Sequence, residues 1–213
     1  MNPTERLLQG ADSLLIMLPG ALMTPQHMVA AGLFNALAQR RVALDLVAPD
    51  LHAEGTDNRL ALQRLHADWL QPARAQYRQV WLGGISRGGQ LALSCWAGQI
   101  AAVDGLCLLA PYAGGRLTTN AIVRAGGLHQ WTADDNEMGD PDVRLWQWLQ
   151  APPPPVPMFM GYGESDRFAD GMGLLAQHLP LERCELVPGG HDWPAYLPLW
   201  SCFLGTAGFA ALP

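Results

Sequence analysis

Positive charge is scarce in this chain and never clustered. Thirteen Lys and Arg stand against 19 Asp and Glu, the formal charge is −6, and no basic run is longer than Arg40-Arg41. A nucleic-acid surface needs a basic patch or stripe, and an acidic membrane surface needs a polybasic segment, so small molecules are the expected partners. Cysteine is equally sparse: Cys95, Cys107, Cys184 and Cys202 are far apart, make no C-x-x-C pair and sit in apolar surroundings. That pattern predicts buried free thiols rather than a zinc site or a disulfide framework. The N-terminal MNPTERLLQGADSLLIMLPG has no basic lead, and its apolar stretch is short enough for a β-strand. Neither a signal peptide nor a membrane span is expected, and the protein reads as cytoplasmic. There are no internal repeats and no heptads.

Metal-binding patterns are also missing. The acidic stretch TADDNEMGDPD places Asp134, Asn136 and Gly139 at intervals like those of a calcium loop, but Met138 occupies a ligand position and no glutamate closes the loop, which predicts a solvated loop. His27, His52, His66, His129 and His178 are scattered without metal-ligand spacing and are expected to face solvent or cap helices. Met17, Met158 and Met160 fall in strand-like runs and are expected in the core. No metal and no cofactor is expected.

What is present is a long alternation of apolar strand-like runs with helical patterns. At 213 residues and 49% hydrophobic content the chain makes one domain with a full core. The alternation is the mark of a mostly parallel sheet covered on both faces, a three-layer α/β/α arrangement of about six strands. The expected strands are Ser13–Leu18, Val42–Val47, a run ending at Ser86, Gly105–Leu109, Val156–Gly161 and Cys184–Val187. Helices are expected over about Pro25–Arg40, with Thr24 as N-cap and proline first, over Asn58–Arg74, after Ser86, over Phe168–Leu179 and over Pro194–Phe209. Residues 111–150 are too long for an ordinary loop and hold Trp131, Trp146 and Trp148, which predicts a small helical cap-like insertion.

The stretch QVWLGGISRG, residues 79–88, organises the chemistry. Val80, Trp81 and Leu82 have strand character, Gly84 and Gly88 flank Ser86 at two residues on either side, and LALSCWAG continues with helical spacing. A serine on a sharp strand-to-helix turn takes strained backbone angles, and its neighbours two positions away come too close to strand and helix to carry a Cβ. The G-x-S-x-G pattern is therefore a nucleophile elbow. A phosphate-cradling loop is excluded, because it needs a lysine that this stretch does not have.

In a parallel sheet every strand delivers its carboxyl end to one edge. The loop after the fifth strand is GYGESDRF and the loop after the sixth is PGGHDW, so Ser86, Asp166 and His191 follow one another on strand ends in the chain order serine, acid, histidine. Of the flanking carboxylates Glu164 and Asp170, Glu164 is kept as the lesser candidate for the acid, and Asp192, next to His191, is expected to be structural.

These motifs resemble the α/β-hydrolase family of serine hydrolases over nearly the whole chain, in particular a compact esterase or thioesterase member. The resemblance implies Ser86 as nucleophile, Asp166 as acid and His191 as base. It also implies an oxyanion hole made by the backbone N–H of Arg87 and one from Ala21 or Leu22 in Pro19-Gly20-Ala21-Leu22. This chain departs from the family in three places: Pro19 replaces the usual histidine before the loop glycine, the two leading antiparallel strands of larger members are expected to be absent, and an arginine follows the nucleophile. The expected activity is hydrolysis of carboxylic esters of small to medium acyl groups, with acyl thioesters as the alternative and a non-catalytic binding protein on the same fold as the remote one. Trp131 and Trp146 are expected to line the acyl pocket, the Arg87 side chain to point into solvent or a surface ion pair rather than to bind an anionic group, and the protein to be a monomer or homodimer.

Overall fold

The computed structural model describes residues 4–51, 58–134 and 139–212. Seven strands form one sheet: β1 (Thr4–Leu7), β2 (Ser13–Leu18), β3 (Asp45–Pro49), β4 (Gln79–Ile85), β5 (Gly105–Leu109), β6 (Met158–Gly163) and β7 (Arg183–Val187). Their order is β1-β3-β2-β4-β5-β6-β7; β1 pairs antiparallel with β3, and the other six strands pair parallel with one another. The inner strands β2, β5 and β6 are buried at every residue, because crossover helices cover both faces of a parallel sheet. The chain order reverses between β2 and β4. Ligands in open α/β sheets bind at such a switch point, and here it is flanked by Leu18-Pro19 on one side and Ser86 on the other.

The helices are α1 (Pro25–Ala30), α2 (Leu33–Arg40), α3 (Asn58–Arg64), α4 (Gln71–Arg74), α5 (Arg87–Ala97), α6 (Arg116–Arg124), α7 (Pro141–Leu149), α8 (Ala169–His178) and α9 (Trp193–Thr206). α2 packs on α9, while α5 packs on β4 and β5 and carries α7 on its outer side. From Gly88 to Ala97 every residue of α5 is buried, so the helix that follows the elbow is the central pillar of its layer.

Four sequence expectations change. β1 adds a seventh strand, so one leading antiparallel strand is present. It was hidden because TERL is short, polar and half exposed, as an edge strand is. β3 lies three residues later than Val42–Val47. Asp45 opens it although it carries a charge, because its carboxylate accepts the N–H groups of Gln9 at 2.7 Å and Ala11 at 3.2 Å and the hydroxyl of Tyr77 at 2.9 Å. The expected helix over Pro25–Arg40 breaks at Gly32, whose φ of +94° favours glycine and starts α2 in a new direction. The expected helix over Asn58–Arg74 is continuous but widens to a π-helical stretch at Leu65–Leu70, before Pro72, which has no N–H to continue an α-helical ladder. Thr24 does cap α1, reciprocally with His27. Asn136 and Met138 of the acidic stretch, and His52, lie outside the described residues.

Candidate active site

The elbow is built by close backbone contact. Ser86 sits between β4 and α5 at φ +52°, ψ −115°, a combination that costs on the order of 1–3 kcal/mol and persists only where surrounding structure enforces it. The enforcement is visible: a Cβ on Gly84 would strike the backbone of Gly88, and one on Gly88 would strike the carbonyls of Leu18 and Pro19. The Ser86 N–H donates to the Leu109 carbonyl at 3.0 Å, and its carbonyl accepts Gln90 N–H at 3.0 Å and Tyr112 N–H at 2.9 Å. The serine is thus pinned to β5 behind it and to the loop after β5.

The other two strand ends are fastened to each other. A Cβ on Gly163 would meet the carbonyls of Gly189 and Gly190, and the N–H groups of Glu164 and Ser165 donate to the carbonyls of Val187 at 2.8 Å and Gly189 at 3.0 Å. This clamp sets Asp166 beside His191. The Asp166 side chain has no exposed surface, and its Oδ2 lies 2.6 Å from His191 Nδ1 while Oδ1 accepts Phe168 N–H at 2.8 Å. On the far side of the ring, His191 Nε2 is 2.8 Å from Ser86 Oγ. The imidazole is packed edge-on by Phe168 and Tyr196, with ring centroids at 5.0 Å and 5.6 Å. Burial, reinforced by the charges of Asp166 and Asp192, pushes the Tyr196 hydroxyl well above its ordinary pKa, so it stays a neutral wall. Glu164 and Asp170 are exposed, and Asp192 begins α9 without capping it through its side chain.

The loop after β2 closes the other side of Ser86. A Cβ on Gly20 would lie 3.3 Å from Ser86 Cβ, and Met23 N–H closes a turn on the Gly20 carbonyl at 3.0 Å with Leu22 at φ +59°. Leu22 is 97% exposed and holds that left-handed conformation without glycine's freedom. A cavity of about 100 Å³ opens here, lined chiefly by Leu18, Pro19, Ala21, Leu51, Arg87 and Leu91.

Arg87 is one of the lining residues, and its side chain is engaged: its Nη1 is 3.5 Å from Asp142 Oδ1 and its guanidinium lies 5.5 Å from the centre of the Tyr112 ring. The tryptophans of residues 111–150 are spent on scaffold. Trp146 is completely buried and donates its indole N–H to the Ala113 carbonyl at 2.7 Å; Trp131 is buried too, and its own backbone carbonyl accepts Gln150 Nε2 at 2.7 Å. Trp148 lies against Gly98 and under Arg144. Both rings are buried, and neither Trp131 nor Trp146 is among the residues that line the cavity of Leu18, Pro19, Ala21 and Arg87. Phe168, Tyr112 and Tyr196 are the aromatic neighbours of the site. Phe168, one residue after Arg167 in GESDRF, and Tyr112, just past β5, both stood on strand-end loops, which was the available signal.

Among the described residues no helix is long and apolar enough to cross a membrane. No family model matches the chain, and no curated protein matches it. Solved structures do. An S-formylglutathione hydrolase of Staphylococcus aureus superposes with a TM-score of 0.62 at 13% identity over 92% of this chain and 80% of its own. Est1E of Butyrivibrio proteoclasticus gives 0.63 at 16% identity over 94% and 89%, and a ferulic acid esterase 0.63 at 14% over 96% of each. The strand order, the elbow and these superpositions together show that the chain has the α/β-hydrolase fold, as esterases and serine hydrolases of this kind do.

Proposed function

We propose that the protein is a serine hydrolase that cleaves carboxylic esters of small to medium uncharged acyl groups through an acyl-enzyme. The observation that carries this is the unbroken contact chain from Ser86 Oγ through both nitrogens of His191 to a carboxylate with no exposed surface, at 2.8 Å and 2.6 Å. In this reading His191 takes the hydroxyl proton as Ser86 attacks the carbonyl carbon, and returns it to the departing alcohol oxygen. Asp166 holds the imidazole with Nδ1–H inward and balances the imidazolium. Water, deprotonated in turn by His191, releases the acid and restores Ser86. The oxyanion is met by Arg87 N–H, at the free start of α5, and by Ala21 or Leu22 N–H. Each donor contributes roughly 10² to 10³ in rate. The constricted turn at Gly20–Met23 supports that assignment, because it lays this segment against Ser86.

The reading includes a cytoplasmic setting, a cap-like insertion over residues 111–150, no metal or cofactor, and a monomer or homodimer. Esters and thioesters share the acyl intermediate, and a panel of p-nitrophenyl esters and acyl thioesters of rising chain length separates them. The test of the reading itself is labelling by a fluorophosphonate probe: one covalent adduct on Ser86 in the native chain and none in Ser86→Ala. A native protein that takes no label has no activated serine, and the reading fails.

A further inference from the structure

Three groups converge on one carboxylate. Asp142, near the start of α7, accepts Gln90 Nε2 at 2.7 Å on Oδ1 and Gly115 N–H at 2.8 Å on Oδ2, with Arg87 Nη1 at 3.5 Å from Oδ1. The side chain is only 14% exposed. Gln90 is fully buried, one turn beyond Ser86, and Gly115 closes the loop that begins at Tyr112, over whose ring Arg87 lies. Both Gln90 and Tyr112 also donate to the Ser86 carbonyl. The Tyr112 hydroxyl is raised above its ordinary pKa by burial and then by the charge of Asp142, with the Arg87 cation opposing.

We infer that Asp142 is a positioning and specificity-determining residue: it fixes the guanidinium of Arg87, the residue next to Ser86, beside the Tyr112 ring and cancels its charge, so that the site accepts uncharged acyl groups and rejects those ending in a carboxylate. This rests on the serine-hydrolase reading. A lone guanidinium beside the reacting carbonyl attracts an anionic chain and can clamp it. Here the cation faces a carboxylate that cannot turn away, because backbone and glutamine donors hold both its oxygens. An incoming carboxylate meets no net positive charge and the repulsion of Asp142.

Asp142→Asn separates charge from geometry. The new amide keeps its carbonyl oxygen for one donor, and Gln90 Oε1, buried and without a partner among the described residues, becomes the acceptor for the added NH₂ once the Gln90 amide turns over. The links to Gln90 and Gly115 survive and the negative charge does not.

The experiment compares kcat and KM on p-nitrophenyl butyrate and mono-p-nitrophenyl succinate, with active sites counted by fluorophosphonate. D142N is expected to raise the succinate-to-butyrate ratio of kcat/KM about tenfold, through a lower KM for the succinate ester, and the gain should shrink at about 0.5 M salt. Its kcat on butyrate should stay within about threefold of the native value, while D142A, which leaves Gln90 and Gly115 N–H without an acceptor, loses about tenfold. D142N/R87Q should return the ratio to the native one. A purely structural Asp142 predicts equal losses on both esters and an unmoved ratio, and that result overturns the inference. If the native protein takes no fluorophosphonate, the hydrolase reading fails instead. Thermal stabilisation by free succinate then decides the charge argument alone: a rise in Tm confined to D142N upholds it, and no rise overturns it.

Discussion

Asp166 uses both of its carboxylate oxygens, one 2.6 Å from His191 Nδ1 and the other receiving Phe168 N–H at 2.8 Å. A carboxylate so placed orients the imidazole ring. Asp166→Asn is therefore expected to preserve the fold and lower kcat by roughly 10⁴, because the amide favours the wrong tautomer. Glu164→Gln, at an exposed carboxylate, should change kcat by less than about threefold. Steady-state rates on a p-nitrophenyl ester check both, and a reversed order would move the acid to Glu164.

Ser86→Ala and His191→Ala should each remove about 10⁶ in kcat, and the double variant little more, since the residues act as a unit. Circular dichroism should show both folded. Near-native turnover by either purified variant contradicts the assignment.

The elbow glycines are predicted to be intolerant for a reason unconnected with activity. Gly84→Ala or Gly88→Ala sets a methyl group into backbone atoms, which cannot move aside as a side chain can, and should cost about 3 kcal/mol or more. Gly10→Ala is the control: its φ of +76° is disfavoured for alanine, but nothing lies within 4 Å, so about 1 kcal/mol is expected. Urea midpoints distinguish these outcomes.

Trp146→Ala should destabilise by roughly 3–5 kcal/mol, as deletion of a fully buried ring does, and leave the preferred acyl chain length unchanged. Trp146→Phe keeps most of the volume and isolates the loss of the Ala113 bond, worth about 1 kcal/mol. A chain-length profile that shifts in either variant would return Trp146 to the pocket.

His178 supplies a pH prediction. Its pKa is lowered by burial and then by His129, so the unfolded chain binds this proton more readily than the native one. Native stability is then undiminished above the unfolded value of about 6.5 and falls as pH drops through it. His178→Gln should flatten that part of the Tm-against-pH curve. An unchanged slope between pH 7 and 5.5 would show that His178 titrates as it does in the unfolded chain.

The sheet and the loops carrying Ser86, Asp166 and His191 were legible because each signal was local: apolar runs buried on both faces, glycines where no Cβ fits, and loops at strand ends. What depended on distant partners was not. Asp45 is a strand residue only because Gln9, Ala11 and Tyr77 satisfy it. Nothing near Trp131 or Trp146 in sequence distinguishes a ring that faces a substrate from one that faces Ala113. Asp142 read as part of an acidic loop until Gln90, 52 residues earlier, was seen bonded to it.

The Gly163–Gly189 clamp has a mechanical consequence. Because the loops after β6 and β7 share backbone hydrogen bonds and a contact too tight for any Cβ, Asp166 and His191 are tied directly to each other, while Ser86 is tied to β5 and the loop after it. Among the described residues no such clamp joins the Ser86 turn to the His191 loop across the 2.8 Å gap between His191 Nε2 and Ser86 Oγ. Thermal motion and remote substitutions that disturb alignment should register first across that gap, with the Asp166–His191 distance holding steady.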